Sequence, residues 1–102
     1  MKHEWSKRLY KKGDYVELND DVIIYNDIKY IFKGIGVIKE YRSIGRKQRI
    51  NTHMYDVDYI NENFELINID KNYICEVDII RKLSQTEVDD LDVLIDSKKY
   101  NL

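Results

Sequence analysis

Apolar and polar residues alternate in short runs along most of this chain, a period of two that predicts β-strands. Asp14, Val16 and Leu18 share one parity and Tyr15 and Glu17 the other, so a strand opens after Gly13 with one face inward. Asn19-Asp20-Asp21 ends it with turn chemistry. Val22 to Tyr25 and Ile28 to Phe32 flank Asn26-Asp27, which predicts a hairpin. Residues 34 to 41, Gly-Ile-Gly-Val-Ile-Lys-Glu-Tyr, then form the strand around which the sheet is organised. Two glycines one residue apart allow a sharp bend or the close passage of a neighbouring strand. Residues 42–53 are polar, contain Gly45 and show no period, and read as a long loop or a frayed hairpin tip.

The cleanest alternation comes next. Tyr55, Val57 and Tyr59 face one way and Asp56 and Asp58 the other, a half-buried strand. Asn61-Glu62-Asn63 connects it to a strand at 64–69, and Asp70-Lys71-Asn72 reads as a second turn. The strand after it, 73–83, is expected to turn Tyr73, Cys75, Val77 and Ile79 inward and Glu76 and Asp78 outward.

Helical spacing occurs only at the ends. Trp5 and Leu9, four apart, predict a short helical turn within residues 3–11. Ser84 and Glu87 form a capping box, with Leu83 and Val88 placed as its hydrophobic staple. Acids at 87, 89 and 90 and lysines at 98 and 99 suit the helix dipole. Val88, Leu91, Leu94 and Ile95 make the apolar stripe that docks this helix on the sheet. The chain thus divides into an extension (1–11), a β domain (12–83) and a capped helix with its tail (84–102).

Composition narrows the setting. At 102 residues and 43% hydrophobic, the chain has room for one modest core. A single cysteine, Cys75, precludes an internal disulfide and fits a reducing compartment. No apolar stretch has the length of a signal core or a spanning helix, so a cytoplasmic protein with no membrane contact is expected. Alanine and proline are absent while Ile, Lys, Asn, Asp and Tyr abound, a usage expected from an AT-rich genome, phage or mobile element. Net charge is −2, but residues 1–53 carry +5 and residues 54–102 carry −7. Such asymmetry bears on partners rather than on fold.

The strand spacing resembles a five-stranded SH3-like barrel of the KOW or Tudor type, as found in small phage and prophage proteins. Lys12 to Val16, Gly34 to Ile38, Tyr55 to Tyr59, Phe64 to Ile69 and Glu76 to Leu83 match its strands, and residues 19–33 stand at its long first loop. The resemblance implies a mainly β module, with the C-terminal helix packed on it, that binds a protein or nucleic acid without catalysis. Trp5 lies before the first matched strand, so polyproline recognition is not implied.

Candidate chemistry is sparse. Lys39, Arg42, Arg46, Lys47 and Arg49 outweigh Glu40 over eleven residues and could neutralise phosphates, with Tyr41 and His53 placed to stack on bases. Asp89, Asp92 and Asp96 line one helix face and could meet a basic partner, although an amphipathic helix has such a wet side anyway. Asp56 and Asp58 stand about 7 Å apart on one strand face, a separation that any half-exposed strand produces. His3, His53 and Cys75 lack metal-ligand spacing, and Gly34-Ile35-Gly36 lacks the third glycine of a dinucleotide loop. The tyrosines at 25, 30, 55, 59 and 73 fit a core better than an aromatic cage. No cofactor is expected. The sequence favours a module that regulates or inhibits a host or defence protein by direct contact, with nucleic-acid binding through 39–53 as the alternative.

Overall fold

A computed structural model of the chain describes residues 7–19 and 22–100. Its elements in order are β1 (Tyr15–Leu18), β2 (Val22–Tyr25), β3 (Ile28–Lys47), β4 (Ile50–Asn61), β5 (Leu66–Cys75), a 3-10 turn (Glu76–Asp78), β6 (Ile79–Lys82) and α1 (Gln85–Tyr100). The protein is mainly β with one C-terminal helix. The sheet runs in the order β5-β4-β3-β1-β6, with β2 paired to β3 beyond the end of β1. Every pairing is antiparallel.

Strand parity follows the alternation. Val16, Leu18, Ile38, Tyr55, Val57 and Tyr59 are buried on one face, with Phe32, Ile69 and Ile79. The other face of the same strands presents Tyr15, Ile35 and Ile60 to α1, whose Val88, Leu91 and Ile95 pack there with Leu83 and Phe64. The helix therefore lies on the back of the sheet, and Leu94 of the expected stripe is exposed. Gly34 (φ +72) takes the left-handed backbone that a bend requires. It sits where the β3–β4 register shifts between Phe32 and Gly36.

Four expectations are corrected. The sheet is open and not a closed barrel, because β5 and β6 form its two ends and, among the described residues, pair only with β4 and β1. The 3-10 turn carries the chain from one end to the other. Residues 70–72 make no turn: β5 passes straight through them, and its register against β4 jumps between Asp56↔Tyr73 and Asp58↔Asn68. Extra residues on one strand form a bulge, which absorbs the polar run without reversing the chain. The strand expected at 73–83 is broken by the 3-10 turn, which leaves Val77 exposed. Finally, residues 7–11 are not helical and Leu9 is exposed; Trp5 lies outside the described residues.

The capping box forms. Glu87 N–H donates to Ser84 Oγ at 3.3 Å, and Ser84 N–H donates to the Glu87 carboxylate at 2.9 Å. Arg81 also forks onto both Glu87 oxygens at 2.7 Å. These partners, Arg81 first, hold the Glu87 carboxyl down at about 2. Because the serine acceptor bond is the long one, Ser84→Ala should cost only about 0.5–1 kcal/mol in a denaturant melt, the low end for an N-cap. A neutral result would place the helix start elsewhere.

Candidate functional site

Of the two expectations for 42–53, the loop is overturned and the hairpin tip holds, although the tip is paired and not frayed. β3 and β4 continue as a ribbon, pairing Ser43↔Met54, Ile44↔His53, Gly45↔Thr52, Arg46↔Asn51 and Lys47↔Ile50. Gln48 and Arg49 reverse the chain with φ of 50° and 69°, the left-handed pair that a two-residue hairpin needs. Beyond Met54 the two arms pair only with each other among the described residues, and the molecule extends 58 Å along its longest axis. The sequence shows no period here because neither face of the ribbon is wholly covered.

Register explains how the cations are displayed. The β3–β4 ladder shifts between Ile38 and Glu40 and between Tyr41 and Ser43. Lys39 and Arg42 are thus the extra residues of two bulges, and bulges re-aim side chains. Arg42 bonds Glu40 at 2.6 Å and lies 4.9 Å above the Tyr73 ring. Lys47 reaches Asp78 of the 3-10 turn at 2.6 Å. Lys39, Arg46 and Arg49 are exposed and make no ion pair among the described residues. Pairs as exposed as these add little to stability, and the hairpin keeps a basic character.

Tyr41 and His53 meet at the root of the ribbon. Their side chains bond through Tyr41 Oη and His53 Nδ1 at 2.9 Å, with ring centroids 5.4 Å apart. His53 is buried, and the Arg8 guanidinium covers the Tyr41 ring at 4.4 Å. Tyr41 also packs edge-on against Tyr55 at 5.7 Å. Of the two rings expected to accept bases, His53 is therefore buried and Tyr41 is half-buried and in contact with Arg8, His53 and Tyr55.

Sequence reasoning missed the residues that complete this surface. The segment 8–14 runs beside β3, with Gly13 N–H donating to the Ile38 carbonyl at 2.8 Å and Ile38 N–H to the Asp14 carbonyl at 2.9 Å. It encloses a cleft of about 510 Å³ lined by Arg8, Tyr10, Lys11, Lys12, Tyr41 and Lys82, with Asp14 and Glu40. Both acids are occupied, Asp14 by Lys82 at 3.4 Å and Glu40 by Arg42. The basic run at 7–12 was visible in the sequence; its place beside β3 was not.

Glu76, expected outside, is drawn in as an acceptor for the Tyr55 hydroxyl and for Leu9 N–H at 3.2 Å. A buried tyrosine needs such a partner. Burial first, then the Glu76 bond, pushes the Tyr55 hydroxyl well above the ordinary range. Asp56 and Asp58 both accept from Asn68 Nδ2, at 3.1 and 2.9 Å, so a bridging amide already holds the pair. On α1, Asp89, Asp92 and Asp96 are exposed, but Asp92 takes the Tyr15 hydroxyl at 2.6 Å and Asp89 takes Gln85 Nε2 at 2.9 Å. Burial, followed by that Asp92 bond, pushes Tyr15 up to about 12. Cys75 is half-buried with its thiol raised, chiefly by burial. Tyr55 and Tyr59 are core residues, and Tyr73 is half-buried beneath Arg42.

Among the described residues no group of three His, Cys, Asp or Glu side chains could hold a metal ion, and no helix is long and apolar enough to cross a membrane. No protein-family model, curated protein or solved structure matches this chain.

Proposed function

We propose that this chain is a non-enzymatic binding module with an SH3-like strand arrangement, whose basic hairpin grips an acidic face of a protein partner. The strand order supports the SH3-like part. The first matched strand, β1, lies between the second, within β3, and the last, β6, as a five-stranded barrel requires. The excursion at 19–33 carries β2 and its turn.

One observation carries the choice of partner. The exposed cations of the hairpin stand beside exposed isoleucines, while of the two rings a base would stack on His53 is buried and half-buried Tyr41 lies under Arg8. Ile44 shares a face with Arg46, and Ile50 shares the other face with Lys47, by register; both isoleucines are exposed. Protein interfaces combine apolar contact with arginine. A phosphate backbone offers isoleucine nothing, and single-strand binding relies on open aromatic faces. The −7 charge of residues 54–102 also opposes a long polyanion.

Replacing Ile44, Arg46 and Arg49 together by serine should abolish recovery of a protein partner from the native host and leave the melting temperature unchanged. That partner should survive nuclease, and neither DNA nor RNA should bind at near-physiological salt. A tight complex with either nucleic acid, whose salt slope drops in the triple variant, would instead establish the nucleic-acid reading, since each neutralised phosphate releases counterions.

A further inference from the structure

The second hairpin, at the other end of β3, carries a different surface. β2 pairs with β3 as Val22↔Ile31, Ile23↔Tyr30, Ile24↔Lys29 and Tyr25↔Ile28, around Asn26 and Asp27 at φ 51° and 63°. Residues directly opposite share a face. Ile23, Tyr25 and Tyr30 therefore turn together onto the core. The reverse face shows Val22, Ile24 and Ile31, which are 40%, 72% and 45% exposed.

The backbone of β2 is open as well. A two-residue turn makes Tyr25 and Ile28 its closing hydrogen-bonded pair, and hydrogen-bonded and non-bonded pairs then alternate. Ile23 is thereby bonded to Tyr30, while Val22 and Ile24 direct their N–H and C=O groups outward. Among the described residues β2 has no strand on that side. Protected edges are very short or carry a charge, a proline or a bulge. Val22-Ile23-Ile24-Tyr25 is short, but it has no charge, proline or bulge, and its pairing with β3 is regular.

We infer that β2 is a dimerisation edge, pairing antiparallel with β2 of a second copy of this chain. One register uses every outward group. Val22 bonds Ile24 of the second copy, Ile24 bonds its Val22, and the two Ile23 residues face each other across a twofold axis. This contact is isologous and closes at two. It continues the sheet through both hairpins with their core faces on the same side. It also sets Val22 against Ile24 of the other copy, an apolar cross-strand pair at each bonded position. A foreign strand could match the backbone, but the copy matches backbone and side chains together. The inference is independent of the basic hairpin, which lies at the far end of β3.

Sedimentation velocity across a concentration series tests it. The natural chain should reach twice the 12.3 kDa monomer mass. The variant Val22→Glu/Ile24→Glu should stay monomeric with an unchanged melt, because it opposes like charges only in the dimer and sets residue 24 against Lys29 in the monomer. Val93→Glu, at an equally exposed apolar site on α1, should still dimerise. Ile23→Cys should form a 23–23 disulfide on mild oxidation, since opposed Cα atoms at a non-bonded pair lie within bridging reach. A natural chain that is monomeric throughout, a dimer that survives the double charge, a dimer that Val93→Glu also dissolves, or growth into open polymers would each overturn the inference.

Discussion

Val57→Asp should leave no cooperative unfolding transition by circular dichroism. Val57 is fully buried, opposite Ile38 at the centre of β4 and among Val16, Leu18, Tyr55 and Tyr59. A carboxyl placed there finds no partner, and burying an unpaired polar or charged group costs several kcal/mol. A domain of this size holds only about 5–15 kcal/mol in total. The neighbouring Asp56→Ser is the control. It removes one of two carboxylates that share Asn68 Nδ2, and Asp58 remains to accept that bond. Its expected cost is within about 0.5 kcal/mol, as for most surface changes. Equal damage at the two positions would show that β4 is not a strand with Val57 on its buried face and Asp56 on its open one.

That contrast also marks what was legible in the sequence. Where one face of a strand is buried, alternation reveals it: Val16 and Leu18 in β1 and Tyr55, Val57 and Tyr59 in β4 lie inward as their parity predicts. The turn at Asn26-Asp27 was legible because both residue types tolerate positive φ. The turn at Gln48-Arg49 was not, because neither residue signals that conformation; pairing along the ribbon imposes it. Period fails for the same reason over 42–53, where neither face is covered for its full length. At 76–78 parity misleads because the Tyr55 hydroxyl needs an acceptor and Glu76 supplies it, while the 3-10 turn throws Val77 outward. The candidate site divides along the same line. Its cations could be read from the chain, but the burial of His53 against Tyr41 and the Arg8 cover depend on contacts distant in sequence.

Gly36→Ala should destabilise the protein strongly, although glycine in a strand is ordinarily a weakness. Alanine restricts the unfolded chain and by itself favours folding by about 0.4–1 kcal/mol. At Gly36 that gain is outweighed. A Cβ there would overlap Val57 Cγ1, and would lie 3.1 Å from the Asp58 carbonyl oxygen and 3.2 Å from Leu18 Cδ1. Val57 is branched and fully buried and cannot swing away, and the carbonyl belongs to the paired strand β4. Overpacking a core costs about 1–3 kcal/mol, and a clash against both backbone and a rigid side chain belongs at the upper end. For about 100 residues the net loss should lower the melting temperature by roughly 10 °C. Coupling supplies the sharper test. Val57→Ala alone should cost about 1–3 kcal/mol, the loss of two methyl groups from the core. It also removes the atom that Cβ overlaps, so Gly36→Ala/Val57→Ala should lose clearly less than the two single changes added together. Strict additivity would mean that β3 and β4 do not approach as closely at Gly36 as this packing requires, since residues in contact couple and distant ones do not.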